Sequence, residues 1–166
     1  MHLMSATLTL SILLLGRVHT KALSIATDTK VIDMRAVLLV EDERPQQIAM
    51  SAMLRRCGSD VIIASDGVEA LLKIQCYCVS VVILDIVLPR MNGYEVCRWI
   101  KTNQKTQNLP VIMFTAKSEG FDFYWGSKQG ADAYVSKQSH PQVLIDTVNQ
   151  FLRNRDAKSR RSLDVG

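Results

Sequence analysis

The stretch VILDIVLPRMNGYEV, Val82 to Val96, sets one carboxylate, Asp85, at the point where an apolar run gives way to a loop. A short continuous apolar run marks a strand buried on both faces. SVVILD (Ser80 to Asp85) therefore reads as a strand, and Pro89 and Asn92-Gly93 as the turn after it. Working outward, AVLLV (Ala36 to Val40), VIIA (Val61 to Ala64), PVIMF (Pro110 to Phe114) and AYVS (Ala133 to Ser136) repeat the pattern.

Amphipathic segments lie between these runs. Pro45 suits a first helical turn, and QQIAMSAMLRRCG reads as a helix closed by Gly58. SDGVEALLKIQ gives a turn and a second helix. A third helix is expected from about Gly93 to Lys101, a fourth in the aromatic-rich segment up to Gly130, and a fifth from Pro141 through QVLIDTVNQFL. Short apolar strands alternating with helices imply parallel pairing, with crossover helices on both faces. The expected fold is an α/β doubly wound parallel sheet of five strands with five helices, flavodoxin-like in class. No internal repeat or low-complexity segment interrupts it.

The length of 166 residues suits one domain with extensions. The net charge of +4 does not sit on that domain, because residues 35–152 carry 12 Lys/Arg and 12 Asp/Glu. The excess lies in the ends, chiefly in Arg153, Arg155, Lys158, Arg160 and Arg161. Residues 154–166 are read as a basic, disordered tail, a solvated end rather than a nucleic-acid surface. No DNA-binding domain is expected in the dozen or so residues after the fifth helix. Cys57, Cys76, Cys78 and Cys97 form no C-x-x-C and have no His at zinc spacing, which fits reduced thiols in the cytoplasm. LTLSILLL (Leu8 to Leu15) is too short to span a bilayer and lacks a positive flank. Residues 1–34 are expected to be a leader, disordered or upstream of the true start, with no stable membrane insertion.

In open α/β sheets the functional crevice lies beyond the carboxyl ends of the strands. Strand one ends in Glu41 and Asp42, strand three in Asp85, strand four in Thr115 and strand five in Lys137. Clustered carboxylates repel unless one is protonated or a cation neutralises them. Mg²⁺, a hard ion that takes one or two carboxylates and leaves room for phosphate oxygens, answers that need. Asp85 can then attack phosphorus, Thr115 can donate to the transferred group, and Lys137 can neutralise its charge. Each residue alone has a plainer reading: a solvated helix start, a turn residue, a surface lysine. Their joint placement at the strand ends favours function.

VLLVEDE, VVILDIVLPRMNGYEVCRWIK, PVIMFTAK and GADAYVSK, in that order across residues 35–153, resemble the receiver domain of bacterial two-component response regulators. The resemblance implies that Asp85 accepts a phosphoryl group from a histidine kinase. It implies that Glu41, Asp42, Asp85 and the backbone carbonyl of Val87 hold Mg²⁺, and that Thr115 and Tyr134 form a switch pair. Lys137 matches the family lysine, but Gln138 stands where the family commonly has a proline after a cis bond. A cis bond before a non-proline costs about 2.5–4 kcal/mol, so either a trans bond with a shifted loop or a strained cis bond is expected here. Phe121, Phe123, Tyr124 and Trp125 form a segment similar to single-domain regulators of type IV pilus motility and phototaxis. Core packing by two or three of them is the plainer reading, and an aromatic docking face the functional one.

The expected function is a stand-alone regulator, not an enzyme beyond its own phosphorylation and dephosphorylation. It would signal to a downstream protein through the fourth helix, fifth strand and fifth helix. Two alternatives are a phosphorelay intermediate serving a histidine phosphotransfer protein and a phospho-independent pseudo-receiver. A phosphatase would want D-x-D-x-T where DIVLP stands. A flavodoxin-like cofactor binder would want a phosphate-cradling loop where EDERP stands.

Overall fold

The computed structural model describes residues 36–116 and 130–163. Its strands are β1 (Val37–Val40), β2 (Val61–Ala64), β3 (Val81–Leu84), β4 (Val111–Thr115) and β5 (Ala133–Ser136). They form one sheet in the order β2-β1-β3-β4-β5, with every neighbouring pair parallel. The described helices are α1 (Arg44–Arg56), α2 (Gly67–Cys76), α3 (Gly93–Thr102) and α4 (Pro141–Leu163). The fourth helix expected from the sequence, with its aromatic cluster, and the leader lie outside the described residues.

The period-two geometry of a strand explains how four residues serve two cores. Val37 and Leu39 of β1 face Met50 and Leu54 of α1 and Leu144, Val148 and Leu152 of α4. Leu38 and Val40 face Ala70 and Ile74 of α2 and Val96, Cys97 and Ile100 of α3. All four β1 residues are buried, as are the four of β3. Each such aliphatic side chain contributes about 1.5–3 kcal/mol of burial, which makes the central strands a rigid base. Burial also pushes the Cys97 thiol up to about 11. The four cysteines are free.

Local chemistry sets the helix starts. Asp66 caps α2 by accepting from the Glu69 N–H at 2.9 Å. Asn92 and Glu95 form a reciprocal capping box on α3.

Several boundaries differ from the sequence reading. Strands three and one lose their polar or edge residues, and strand four gains Thr115. The fifth expected helix is longer than expected. α4 runs 23 residues to Leu163, through most of the stretch expected as a disordered tail. No Gly or Pro lies between Arg153 and Leu163 to stop it. No described helix is long and apolar enough to cross a membrane.

Candidate functional site at the carboxyl ends of the strands

The sheet reverses its winding between β1 and β3, which puts the exits of these strands side by side. The backbone N–H of Asp85 donates to the Val40 carbonyl at 3.1 Å, and that of Glu41 to the Ala64 carbonyl at 3.0 Å. Both acids therefore extend the ladder by one step and stand on rigid backbone. Glu41 is 1 % exposed and Asp85 6 %. Asp42, the next residue, is exposed.

Asp85 is held at both oxygens. Its Oδ1 accepts from the Ile86 N–H at 2.6 Å and from the Val87 N–H at 3.3 Å. Its Oδ2 accepts from Lys137 Nζ at 2.6 Å. Lys137 also reaches Glu41 Oε2 at 2.7 Å. The lysine is set by the end of β5, where its backbone N–H donates to the Thr115 carbonyl at 2.9 Å. Thr115 itself is buried at the end of β4. Tyr134 is half-buried in β5, opposite Met113 of β4. Val87 is exposed at the mouth.

The electrostatics follow from this packing. Burial pushes the Glu41 carboxyl above its ordinary value. The Lys137 ammonium opposes that shift without cancelling it, and Asp85 adds to it. Burial pulls the Lys137 ammonium down, but its hydrogen bonds to Asp85 and Glu41 outweigh this and hold it above the ordinary lysine value. One ammonium thus leaves the acid cluster short of positive charge.

A divalent cation fits that deficit. Ligand oxygens of Glu41, Asp42 and Asp85 all lie within 4.8 Å of one another. This is an all-oxygen set suited to a hard ion.

Around the cluster stand residues that sequence reasoning missed. Gln47, 2 % exposed, donates from Nε2 to the Glu41 carbonyl at 2.6 Å and to Ser65 Oγ at 3.3 Å. It fixes the backbone that presents the acidic pair. Gly93 donates its N–H to the Ile86 carbonyl at 3.0 Å, and a Cβ there would overlap the carbonyl of Asp85. The only available sequence signal for Gly93 was its place in Asn-Gly, and for Asp66 its place before a helix. Gln47 carries no signal at all.

No cis peptide bond occurs among the described residues. The Gln138 N–H, which a proline would lack, donates to Ser136 Oγ at 3.2 Å. Ser139 N–H donates to the Ser136 carbonyl at 3.0 Å and completes the turn. With a trans bond Lys137 still reaches both acids.

Known proteins resemble this chain in sequence and in fold. The sequence model of the response regulator receiver domain matches residues 37–149. The chain is 37 % identical over 122 residues to the alkaline phosphatase synthesis transcriptional regulatory protein PhoP of Bacillus subtilis, covering 74 % of this chain and 50 % of PhoP. It thus spans about half the length of that relative. Protein PilH of Pseudomonas aeruginosa is 32 % identical over 119 residues, covering 72 % of this chain and 98 % of PilH. Among solved structures, the receiver domain of Francisella response regulator 1452 superposes with a TM-score of 0.68 at 26 % identity, over 73 % of this chain and 98 % of that one.

Proposed function

The chain belongs to the response regulator receiver family, and from that premise we propose that Asp85 accepts a phosphoryl group from a histidine kinase, with Mg²⁺, and that this switches a protein-binding face. Receiver domains are phosphoacceptor signalling domains of two-component systems. The observation that carries the residue assignment is the Lys137 ammonium, shared between Asp85 Oδ2 at 2.6 Å and Glu41 Oε2 at 2.7 Å. It joins the ends of three strands in one charged crevice.

Glu41, Asp42, Asp85 and the Val87 carbonyl would hold the ion. When bound, Mg²⁺ supplies charge neutralisation for the phosphoryl oxygens. The chain's own residues do the rest. The Ile86 and Val87 N–H groups and Lys137 fix the Asp85 carboxylate against rotation, so the acceptor is oriented before the donor arrives. An Asp85 oxygen forms the new P–O bond as the P–N bond of the donor phosphohistidine breaks. The electron pair of that bond returns to the imidazole nitrogen. Lys137 exchanges Glu41 for a phosphoryl oxygen, as a flexible ammonium can. Thr115 donates its hydroxyl to another phosphoryl oxygen, and Tyr134 follows it as the second member of the switch.

The readout is a population shift between two packings, which a partner must bind unequally. The face would be the segment before β5, β5 itself and α4. The match over 98 % of PilH supports the reading of a stand-alone regulator. Incubation with Mg²⁺ and acetyl phosphate, read by intact mass, tests the proposal. Wild type gains one phosphoryl group and Asp85→Ala gains none. A wild type that stays unmodified, while folded and with kinase donors also supplied, contradicts it.

A further inference from the structure

The loop that carries Asp85 has a tether outside the acid cluster. Between Asp85 and Gly93 the chain makes a very tight turn, in which Met91 N–H donates to the Pro89 carbonyl at 2.8 Å across Arg90. Arg90 has φ +66, the sole non-glycine residue with positive φ among those described. A three-residue turn with its central residue at positive φ is rare and strained, and non-glycine residues at such angles persist only where the surroundings impose them.

The Arg90 guanidinium donates to Asp66 Oδ2 on the β2–α2 loop. Asp66 is 6 % exposed, and its other oxygen caps α2. Burial alone would raise the Asp66 carboxyl, but Arg90 and the α2 backbone outweigh it and hold it below the ordinary value. The two loops also touch directly, because a Cβ at Gly67 would come within 2.5 Å of the Met91 carbonyl oxygen.

We infer that the Asp66–Arg90 ion pair is a clamp that positions the Asp85 loop, so that the Ile86 and Val87 backbone groups keep their aim at the phosphoacceptor. Neither residue touches the reacting atoms. Both are positioning residues, and their role rests on the reading of Asp85 as acceptor. A strained arginine tied to a helix-capping carboxylate holds the loop against the β2–α2 corner. A glycine at position 90 would relax the turn and release the tether at once.

Two single variants separate the clamp from the fold. Asp66→Asn keeps a good helix cap and removes the charge. Arg90→Gly removes the side chain and the backbone strain. Support of a site's ligands by outer partners is typically worth about 10- to 100-fold in affinity or activity. Each variant should therefore slow phosphorylation by Mg²⁺ and acetyl phosphate by about tenfold or more, with amide exchange faster at residues 86–92 and unchanged in β3. The double variant should be no slower than the worse single one, as two halves of one contact require. Arg90→Lys, which keeps the charge, should recover part of the rate.

Wild-type rates in both single variants overturn the clamp. So do losses that add in the double variant, or losses that track a fall in global stability. A wild type that takes no phosphoryl group removes the acceptor reading itself, an outcome read on a different protein and so distinguishable from failure of the clamp.

Discussion

Asp85 and Lys137 meet at 2.6 Å, yet the loops that bring them together are held in opposite ways. The Asp85 loop is over-determined. Gly93 packs against the Asp85 carbonyl, two backbone N–H groups fix Oδ1, and Arg90 ties the turn to Asp66. The Lys137 loop is a simple turn closed by Ser136, with exposed residues from Gln138 to His140. A phosphoryl acceptor gains from being fixed before reaction, whereas a charge that must follow the phosphoryl group gains from reach. The crevice pairs a rigid nucleophile with a movable cation.

The Asp85 loop is least tolerant of change at Gly93. Gly93→Ala places a methyl on the Asp85 carbonyl, so the backbone must shift. The expected result is loss of phosphorylation and a stability loss of about 3 kcal/mol or more, seen in urea unfolding. If Gly93→Ala keeps both, the Asp85 loop is not over-determined.

Lys137→Met removes the cation but keeps the stem. Two buried carboxylates then lose their counterion, at a cost of about 3 kcal/mol without metal. Added Mg²⁺ should restore much of the melting temperature. A variant with wild-type stability and no Mg²⁺ response would mean that Lys137 does not neutralise the cluster. In wild type the lysine's raised value places its stabilising effect fully below pH 10.5, to be lost as pH climbs above that.

Glu41→Gln sharpens the electrostatic side. The Glu41 carboxyl is raised above 4.5, so its charged form is disfavoured by folding at neutral pH. Replacement should stabilise the metal-free protein at pH 7. The gain should shrink as pH falls through the raised value toward 4.5, where wild-type Glu41 takes up a proton. Mg²⁺ affinity should fall in the same variant. A pH-independent gain would place its origin elsewhere.

Gln138→Pro is the mildest change. It deletes the N–H that donates to Ser136 Oγ, an exposed bond worth about 1 kcal/mol. Phosphorylation should change by only a few-fold, because Lys137 already reaches both acids on a trans bond. Loss of phosphorylation would show that the Lys137 loop is as tightly set as the Asp85 loop.

These loops also mark what sequence reasoning reaches. The strands were legible because runs such as Val37–Val40 are buried on both faces, so their pattern is local. Glu41, Asp85, Thr115 and Lys137 were legible as one set because strand ends in a parallel sheet share one edge, and the structure does bring Glu41, Asp85 and Lys137 into contact. The Asp66–Arg90 pair was not. Its members come from different loops, and neither periodicity nor composition encodes which loops touch. Gln47 lies in the expected first helix with nothing in the sequence to mark it, while its amide is buried against the Glu41 carbonyl. The length of α4 was missed because a basic composition was taken as a disordered tail, although arginine and lysine are sound helix formers.

Trapping the acyl phosphate where it forms identifies the acceptor. Protein treated with Mg²⁺ and acetyl phosphate, then reduced with borohydride and digested, should show homoserine in place of Asp85 and aspartate unchanged at position 42. Unmodified aspartate at position 85, with the reduced residue found elsewhere, would contradict the assignment of Asp85 as the acceptor.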